Sequence, residues 1–286
     1  MSVLGRLRTY ASFVRISHSV FALPFALVGA LLAGRTVPLT WARAGWIVAA
    51  MVTARSAAMG FNRLADARFD ARNPRTAARE LPRGAMSVRE AAAFVAVSSA
   101  AFVAVCAPLG PVCLALSPVA LAIVFWYSIA KRVTHMTQLF LGLAMAVAPV
   151  GGWIAAGGGW AWEPALLGLA IGAWVGGFDV LYACQDLEFD RRDGLHSIPV
   201  RFGVRGALAI SRAMHLLAVA CLAALGAVAA LGPIYLAGVV VVAGLLFYEQ
   251  SLVSADDLSQ VKRAFDLNGY VGLFYLLATG VALYVG

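Results

Sequence analysis

Nine times along this chain a run of mostly apolar residues is long enough to cross a bilayer, and eight charged or glycine-rich connections separate the runs. A spanning helix needs about 20 such residues. The runs fall at roughly 16–34, 43–62, 91–109, 111–130, 136–156, 163–183, 207–231, 233–248 and 264–285. With 62% hydrophobic residues, 13% charged residues and a mean hydropathy of +0.85, the chain lies far from soluble composition. The expected fold is all-α: one domain over 1–286, a polytopic bundle of nine transmembrane helices around a central cavity. Lipid permits no exposed backbone polar groups, and helices satisfy theirs internally. Pro24, Pro118 and Pro149 fall inside predicted helices, and Gly151-Gly152 and Gly157 to Gly159 mark turns or close packing.

Of the 22 Lys and Arg, all but Arg35, Arg43 and Arg55 fall at the N-terminus, where Arg6, Arg8 and Arg15 stand, or in and beside the connections after helices 2, 4, 6 and 8. That side is therefore expected to be cytoplasmic. The net charge of +8 belongs to these connections rather than to a basic domain, which argues against nucleic acid and for anionic lipid and phosphate-bearing substrates. No protein partner is evident. The N-terminal run lacks a small-residue cleavage site and reads as the first membrane helix. Cys106, Cys113, Cys184 and Cys221 lie in apolar segments without metal-type spacing and read as small buried hydrophobes. His18, His135, His196 and His215 also lack ligand spacing, and His196 reads as a residue that orders its loop.

On the charged side the sequence concentrates its acids twice. In NRLADARFDARNPRTAARELPRG, residues 62–84, Asn62, Asp66 and Asp70 recur every fourth residue. Each step turns a helical side chain through about 400°, so the three share one stripe. In DVLYACQDLEFDRR, residues 179–192, Asp179 and Asp186 are seven apart and Asp190 is four further on. Seven residues are close to two helical turns. Clustered carboxylates repel unless a cation sits between them, and oxygen ligands of this kind suit Mg²⁺ bound together with a substrate phosphate. Arg72, Arg75 and Arg79 follow the first stripe, Lys131 and Arg132 end helix 4, and Arg191, Arg192 and Arg201 follow the second. Two such stripes facing each other would clamp a diphosphate. Asp66 and Asp186 stand 120 residues apart, each at the charged end of its helix, so the repeat is functional even though little else in the two halves matches.

Arg55 lies seven residues before Asn62, on nearly the same face and deeper in the membrane. A charge there is costly. It reads either as an anchor for an anionic group of an acceptor substrate or as a structural partner for Asp179. Phe61, Phe125, Trp126, Tyr127, Phe178 and Tyr182 flank the motifs and could face a cation; ordinary packing accounts for each equally well. Near the C-terminus, SADDLSQVKRAF reads as a short amphipathic helix with Ser254 as its N-cap and Asp257 in its first turn.

These residues resemble the UbiA superfamily of intramembrane aromatic prenyltransferases. The 62–84 stretch is similar to its NxxxDxxxD signature, and DVLYACQDLEFDRRDGLHSIPVRFG to its second aspartate-rich motif. YSIAKRVTHMTQ is similar to the loop after helix 4, and HSVFALPFALVGALLA to the first helix. Within the family, the motifs and RELPRG resemble 4-hydroxybenzoate polyprenyltransferases and the branch that prenylates 1,4-dihydroxy-6-naphthoate in futalosine-route menaquinone synthesis. The second motif departs from an even series: it is spaced D-x6-D-x3-D, with Tyr182 between the first two acids.

The resemblance implies Mg²⁺-dependent transfer of a polyprenyl group from its diphosphate to a small aromatic acid, as in ubiquinone or menaquinone synthesis. Asn62, Asp66 and Asp70 would hold one Mg²⁺, and Asp186 and Asp190 a second. Arg72, Arg75, Lys131 and Arg132 would bind diphosphate. Asp179, Tyr182 and Arg55 would line the acceptor side, and Asp179 or the diphosphate would take the ring proton. A cap from the 63–90 and 190–205 connections would exclude water. Other acceptors fit the same scheme: 1,4-dihydroxy-2-naphthoate, protohaem, chlorophyllide or a glycerol phosphate ether. A secondary transporter would place its charges near the bilayer midplane, often at broken helices. Here they cluster at one side, which favours the enzyme.

Overall fold

The computed structural model describes residues 3–14 and 22–285; Arg15, His18 and the predicted start of the first membrane helix lie outside them. The described residues form helices only. They are α1 (Val3–Phe13), α2 (Leu23–Ala33), α3 (Trp41–Asp70), α4 (Val88–Cys106), α5 (Pro111–Ala130), α6 (Thr137–Ala155), α7 (Trp162–Ala183), α8 (Leu187–Arg192), α9 (Ile198–Val228), α10 (Gly232–Ser251) and α11 (Val261–Val285). Eight of these, among the described residues, are long and apolar enough to cross a membrane, and α2 is a shorter apolar helix. Each of the nine expected runs thus has its helix.

Local signals set the boundaries. The Thr40 hydroxyl accepts from the Arg43 N–H at 3.2 Å to start α3. Ser87 and Glu90 form a capping box at α4. Ser197 caps α9, and Gly203 (φ 69°) kinks it. Pro118 and Pro149 stand inside α5 and α6, whereas Pro24 stands in the first turn of α2. At the end opposite the acids, Arg43 Nε donates to Ala155 O at 2.6 Å and Arg35 Nη1 to Ala229 O at 2.5 Å. The two outer arginines therefore close helix ends. Trp41, Trp160 and Trp162 are fully or largely exposed near that end, as an interfacial aromatic belt requires.

Helix packing relies on small residues, because apolar burial gives little drive inside lipid. A Cβ on Gly152 would lie 2.0 Å from Ala26 O, one on Gly29 2.0 Å from Pro149 O, and one on Gly142 2.3 Å from Gly172 O. So α6 lies backbone to backbone on α2 and on α7. Polar side chains tie the other half: Trp174 Nε1 donates to Asn268 Oδ1 at 2.6 Å, and Gln250 Nε2 to Ser211 Oγ at 2.7 Å.

Several expectations need correction. α3 runs on to Asp70, so the whole first motif is helical. The second motif is not one helix: α7 ends at Ala183, residues 184–186 form a 3₁₀ turn, and α8 follows. The connections beside the site are 71–87 and 193–197, shorter than 63–90 and 190–205, because 63–70 belongs to α3, 88–90 to α4, 190–192 to α8 and 198–205 to α9. SADDLSQ makes turns instead of a helix. The Ser254 hydroxyl does accept from the Asp257 N–H at 3.0 Å, but the Asp257 carboxylate then takes the Ser259 N–H at 2.9 Å, and helix begins only at Val261. α1, which was not expected, packs Tyr10 and Phe13 on Phe94 of α4.

Candidate active site

The two motifs meet. The helical stripe carries Asn62, Asp66 and Asp70 to the charged end of α3, and Arg75 and Asn73 reach from the next turns to the second motif. Arg75 grips Asp186 with two bonds, Nε to Oδ1 at 3.1 Å and Nη2 to Oδ2 at 2.6 Å, while Asn73 Nδ2 donates to Asp186 Oδ1 at 3.4 Å. Arg79 Nη1 takes both oxygens of Asp70, at 2.7 and 2.8 Å. Lys131 Nζ takes Asp66 Oδ2 at 2.7 Å, and Asn62 Nδ2 approaches the same oxygen at 3.5 Å. Between these groups lies a cavity of about 130 Å³ whose walls include Asn62, Asp66, Asp70, Lys131 and Asp190.

Asp66, Asp70 and Asp186 thus each hold a cation. Among the described residues no three His, Cys, Asp or Glu side chains converge closely enough to cage a metal ion. Asp66 Oδ1, however, is buried without a hydrogen-bond partner. A buried carboxylate oxygen left unsatisfied is costly, so the donor set fits an added cation. Burial pulls the Arg75 pKa down, but the Asp186 carboxylate raises it above the ordinary arginine value, so Arg75 stays charged.

The remaining expected residues lie around this cavity. Tyr182 is under Arg75, its hydroxyl 3.4 Å from Nη1. Asp179 is within electrostatic reach of Asp186, Lys131 and Asp190. Arg132 donates to Ala65 O, and Arg72 pairs with Asp193 at 3.0 Å; neither lines the cavity. Most of the aromatic candidates pack on another ring: Phe61 on Phe125 at 4.4 Å, Trp126 on Phe140, and Phe178 and Tyr182 against Phe265. Phe69 was missed. Arg72, Lys131 and Arg132 all sit 5.3–5.8 Å from its ring centroid. Its place between Asp66 and Asp70 was the available signal. Arg79 was named among the basic residues but not as a ligand of Asp70.

Deeper in the membrane a second cavity of about 340 Å³ runs among α2 to α6. On both flanking walls it ends one helical turn from the polar cavity, at Met59 before Asn62 on α3 and at Tyr127 before Lys131 on α5. Its lining is apolar apart from Arg55, Tyr127 and a few small polar groups, and Arg55 is its one charged residue among those described. Arg55 lies within electrostatic reach of Tyr127, and Tyr127 of Asp179. The arrangement is a cation-rich, acid-rich mouth above a hydrocarbon chamber. His196 N–H donates to Lys131 O at 2.7 Å, tying the 193–197 connection to the end of α5.

The chain is similar to known proteins over nearly its whole length. Residues 22–278 match the model of the UbiA prenyltransferase family. A 4-hydroxybenzoate octaprenyltransferase of Citrobacter koseri is 32% identical over 251 residues, covering 84% of each chain. Among solved structures, a UbiA homolog from Aeropyrum pernix K1 without ligand is 40% identical, with a TM-score of 0.85 over 94% of this chain and 98% of that one. A UbiA homolog from Archaeoglobus fulgidus, bound to GPP and Mg²⁺, shares the fold at 19% identity, with a TM-score of 0.75 over 96% and 99% of the two chains.

Proposed function

This chain belongs to the UbiA prenyltransferase family, and from that premise we propose that it transfers a polyprenyl group from its diphosphate to a small aromatic carboxylic acid, with Mg²⁺, on the cytoplasmic side of the membrane. The observation that carries the reading is the joining of the two motifs around a polar cavity directly above an apolar chamber that contains Arg55.

Asn62, Asp66 and Asp70 would hold one metal, and Asp186 and Asp190 another. Bound there, Mg²⁺ supplies positive charge to a leaving diphosphate. The cations are already in place. Arg75, Arg79 and Lys131 now neutralise carboxylates; with metal charge beside those acids, each would be free to hold a diphosphate oxygen instead. The exchange keeps every buried charge compensated, and losing one partner without replacement costs about 3–5 kcal/mol. Arg72 and Arg132, at the rim, extend the basic surface that meets the donor.

The chamber then takes the prenyl tail, and Arg55 faces the acceptor's carboxylate beside Tyr127. The allylic C–O bond breaks, with its electron pair leaving on diphosphate. The ring carbon ortho to a hydroxyl forms the new C–C bond, and Asp179 or the departing diphosphate receives the ring proton. Burial beneath the 71–87 and 193–197 connections keeps water from the allylic cation.

The test is purified protein with geranyl diphosphate, Mg²⁺ and 4-hydroxybenzoate. Diphosphate release and prenylated acid should both need metal and acceptor, and EDTA should stop both. Turnover that survives EDTA would remove the metal from the scheme. Prenylation of 1,4-dihydroxy-2-naphthoate but of no singly hydroxylated acid would reassign the acceptor.

A further inference from the structure

Two histidines stand together outside the acid-lined cavity. His135 lies in the turn between α5 and α6, and His196 in the 193–197 connection before α9. They are 61 residues apart, so no spacing along the chain reveals the pair. Their rings pack edge to face, with centroids 4.5 Å apart and planes at 66°. The Nδ1 atom of each is buried without a hydrogen-bond partner. A buried polar nitrogen left unsatisfied is costly, and two on adjoining rings can be satisfied by one shared ligand.

The backbone around the pair is tied across the two segments. His196 N–H donates to Lys131 O at 2.7 Å, and Thr137 Oγ1 donates to His196 O at 3.3 Å. Two residues on, Ile198 N–H donates to Gln138 Oε1 at 3.1 Å. The main chain and its neighbours therefore position the rings, and neither Nδ1 is spent on that task.

We propose that His135 and His196 form a second metal site, for a borderline transition ion such as Zn²⁺ or Ni²⁺, separate from the acids. Imidazole nitrogen suits such ions, whereas carboxylate and water suit Mg²⁺. With the proton on Nε2, each Nδ1 has its lone pair free for a metal. With metal–nitrogen bonds of about 2.0–2.1 Å, two imidazoles on one ion bring their ring centroids to roughly 4.5–5 Å. The observed separation matches that span. Both histidines are only half-buried, so water can complete the coordination. The ion would staple the end of α5 to the connection that follows the second motif. Leu195, beside His196, lines the polar cavity, and its N–H donates to Asp190 O at 2.8 Å. The staple would steady that wall of the cavity without supplying a ligand to it.

The test is Zn²⁺ binding to the full chain in detergent by calorimetry, with Mg²⁺ in large excess to occupy the acids. We expect one Zn²⁺ per chain, a higher melting temperature with Zn²⁺, and slower hydrogen exchange over 193–197. His135→Asn and His196→Asn should each weaken binding by about tenfold or more, since even an outer partner of a metal ligand is worth that much. Asp66→Asn should bind Zn²⁺ as the unsubstituted protein does. Where a histidine variant fails to fold, Cu²⁺ on the unsubstituted protein, under the same excess of Mg²⁺, serves in its place: its electron paramagnetic resonance spectrum should show coupling to two imidazole nitrogens. Absence of Zn²⁺ uptake under excess Mg²⁺, an all-oxygen copper spectrum, or binding lost in Asp66→Asn and kept in the histidine variants would overturn the site.

Discussion

Asp66 has one carboxylate oxygen on Lys131 and another buried without a partner. That asymmetry suits a residue that trades a lysine for a metal. Asp66→Asn keeps the volume and a bond to Lys131 while removing the charge a metal needs. Turnover should fall at least about a hundredfold, the scale seen when a single transition-state charge contact is lost. A melting temperature within a few degrees of the parent's would show that the loss is chemical, whereas retained activity would dismiss the metal role. Arg55 makes the complementary case. As the charged residue of a hydrocarbon chamber, it should interact with the acceptor's carboxylate and not with the donor's tail. Arg55→Ala is expected to raise KM for the aromatic acid about tenfold or more, the worth of a charge-assisted hydrogen bond, with KM for the donor nearly unchanged. Equal effects on both would make Arg55 structural. Its depth and face were legible from its seven-residue offset to Asn62. The partners of Arg75 and Arg79 were not, because Arg75 reaches across 111 residues to Asp186, and spacing along a chain says nothing about which distant acid a flexible guanidinium meets.

At the scale of elements, hydropathy located every membrane helix, since length and composition alone decide what lipid accepts. The second motif was read less well. Nothing in Cys184-Gln185-Asp186 forbids α-helix, yet the chain tightens there to a 3₁₀ turn and re-aims Asp186 and Asp190 relative to Asp179. That choice belongs to tertiary packing, which a seven-residue spacing does not record. α1 was missed for a similar reason: eleven residues carrying two arginines make no span, and its aromatic side chains pack on Phe94. Its position has a consequence. Ser12 Oγ donates to Glu80 Oε1 at 2.5 Å, and Glu80 is almost fully buried in the 71–87 connection that carries Arg75 and Arg79. Ser12→Ala would leave that carboxylate short of a donor, at about 1–3 kcal/mol. The loosening should appear as faster hydrogen exchange over 71–87 and a several-fold higher KM for the prenyl donor. Unchanged exchange would mean that α1 does not steady the connection.

For the whole molecule, the question is what holds the described helices together when lipid competes for every apolar surface. Close backbone approach is the strongest answer visible, and α6 is its centre. It meets α2 through Gly29 and Gly152 and α7 through Gly142, so these walls of the chamber are fixed, whereas a Cβ built on Gly151 meets nothing within 4 Å. Two adjacent glycines therefore carry opposite demands, a distinction that Gly151-Gly152 in the sequence does not reveal, because both serve equally as small residues on paper. A side chain at 152 must drive Ala26 O back from 2.0 Å, and Ala26 is wholly buried in the main core. Gly152→Leu should then cost about 1–3 kcal/mol or more through overpacking. Gly151→Leu, one residue away, should leave stability unchanged or slightly raised. Thermal unfolding of the two variants in the same detergent checks this directly: a clear drop for Gly152→Leu beside an unshifted Gly151→Leu confirms that α2 and α6 form one rigid wall. Equal drops would mean that the face of α6 carrying Gly151 is packed as tightly as the face carrying Gly152.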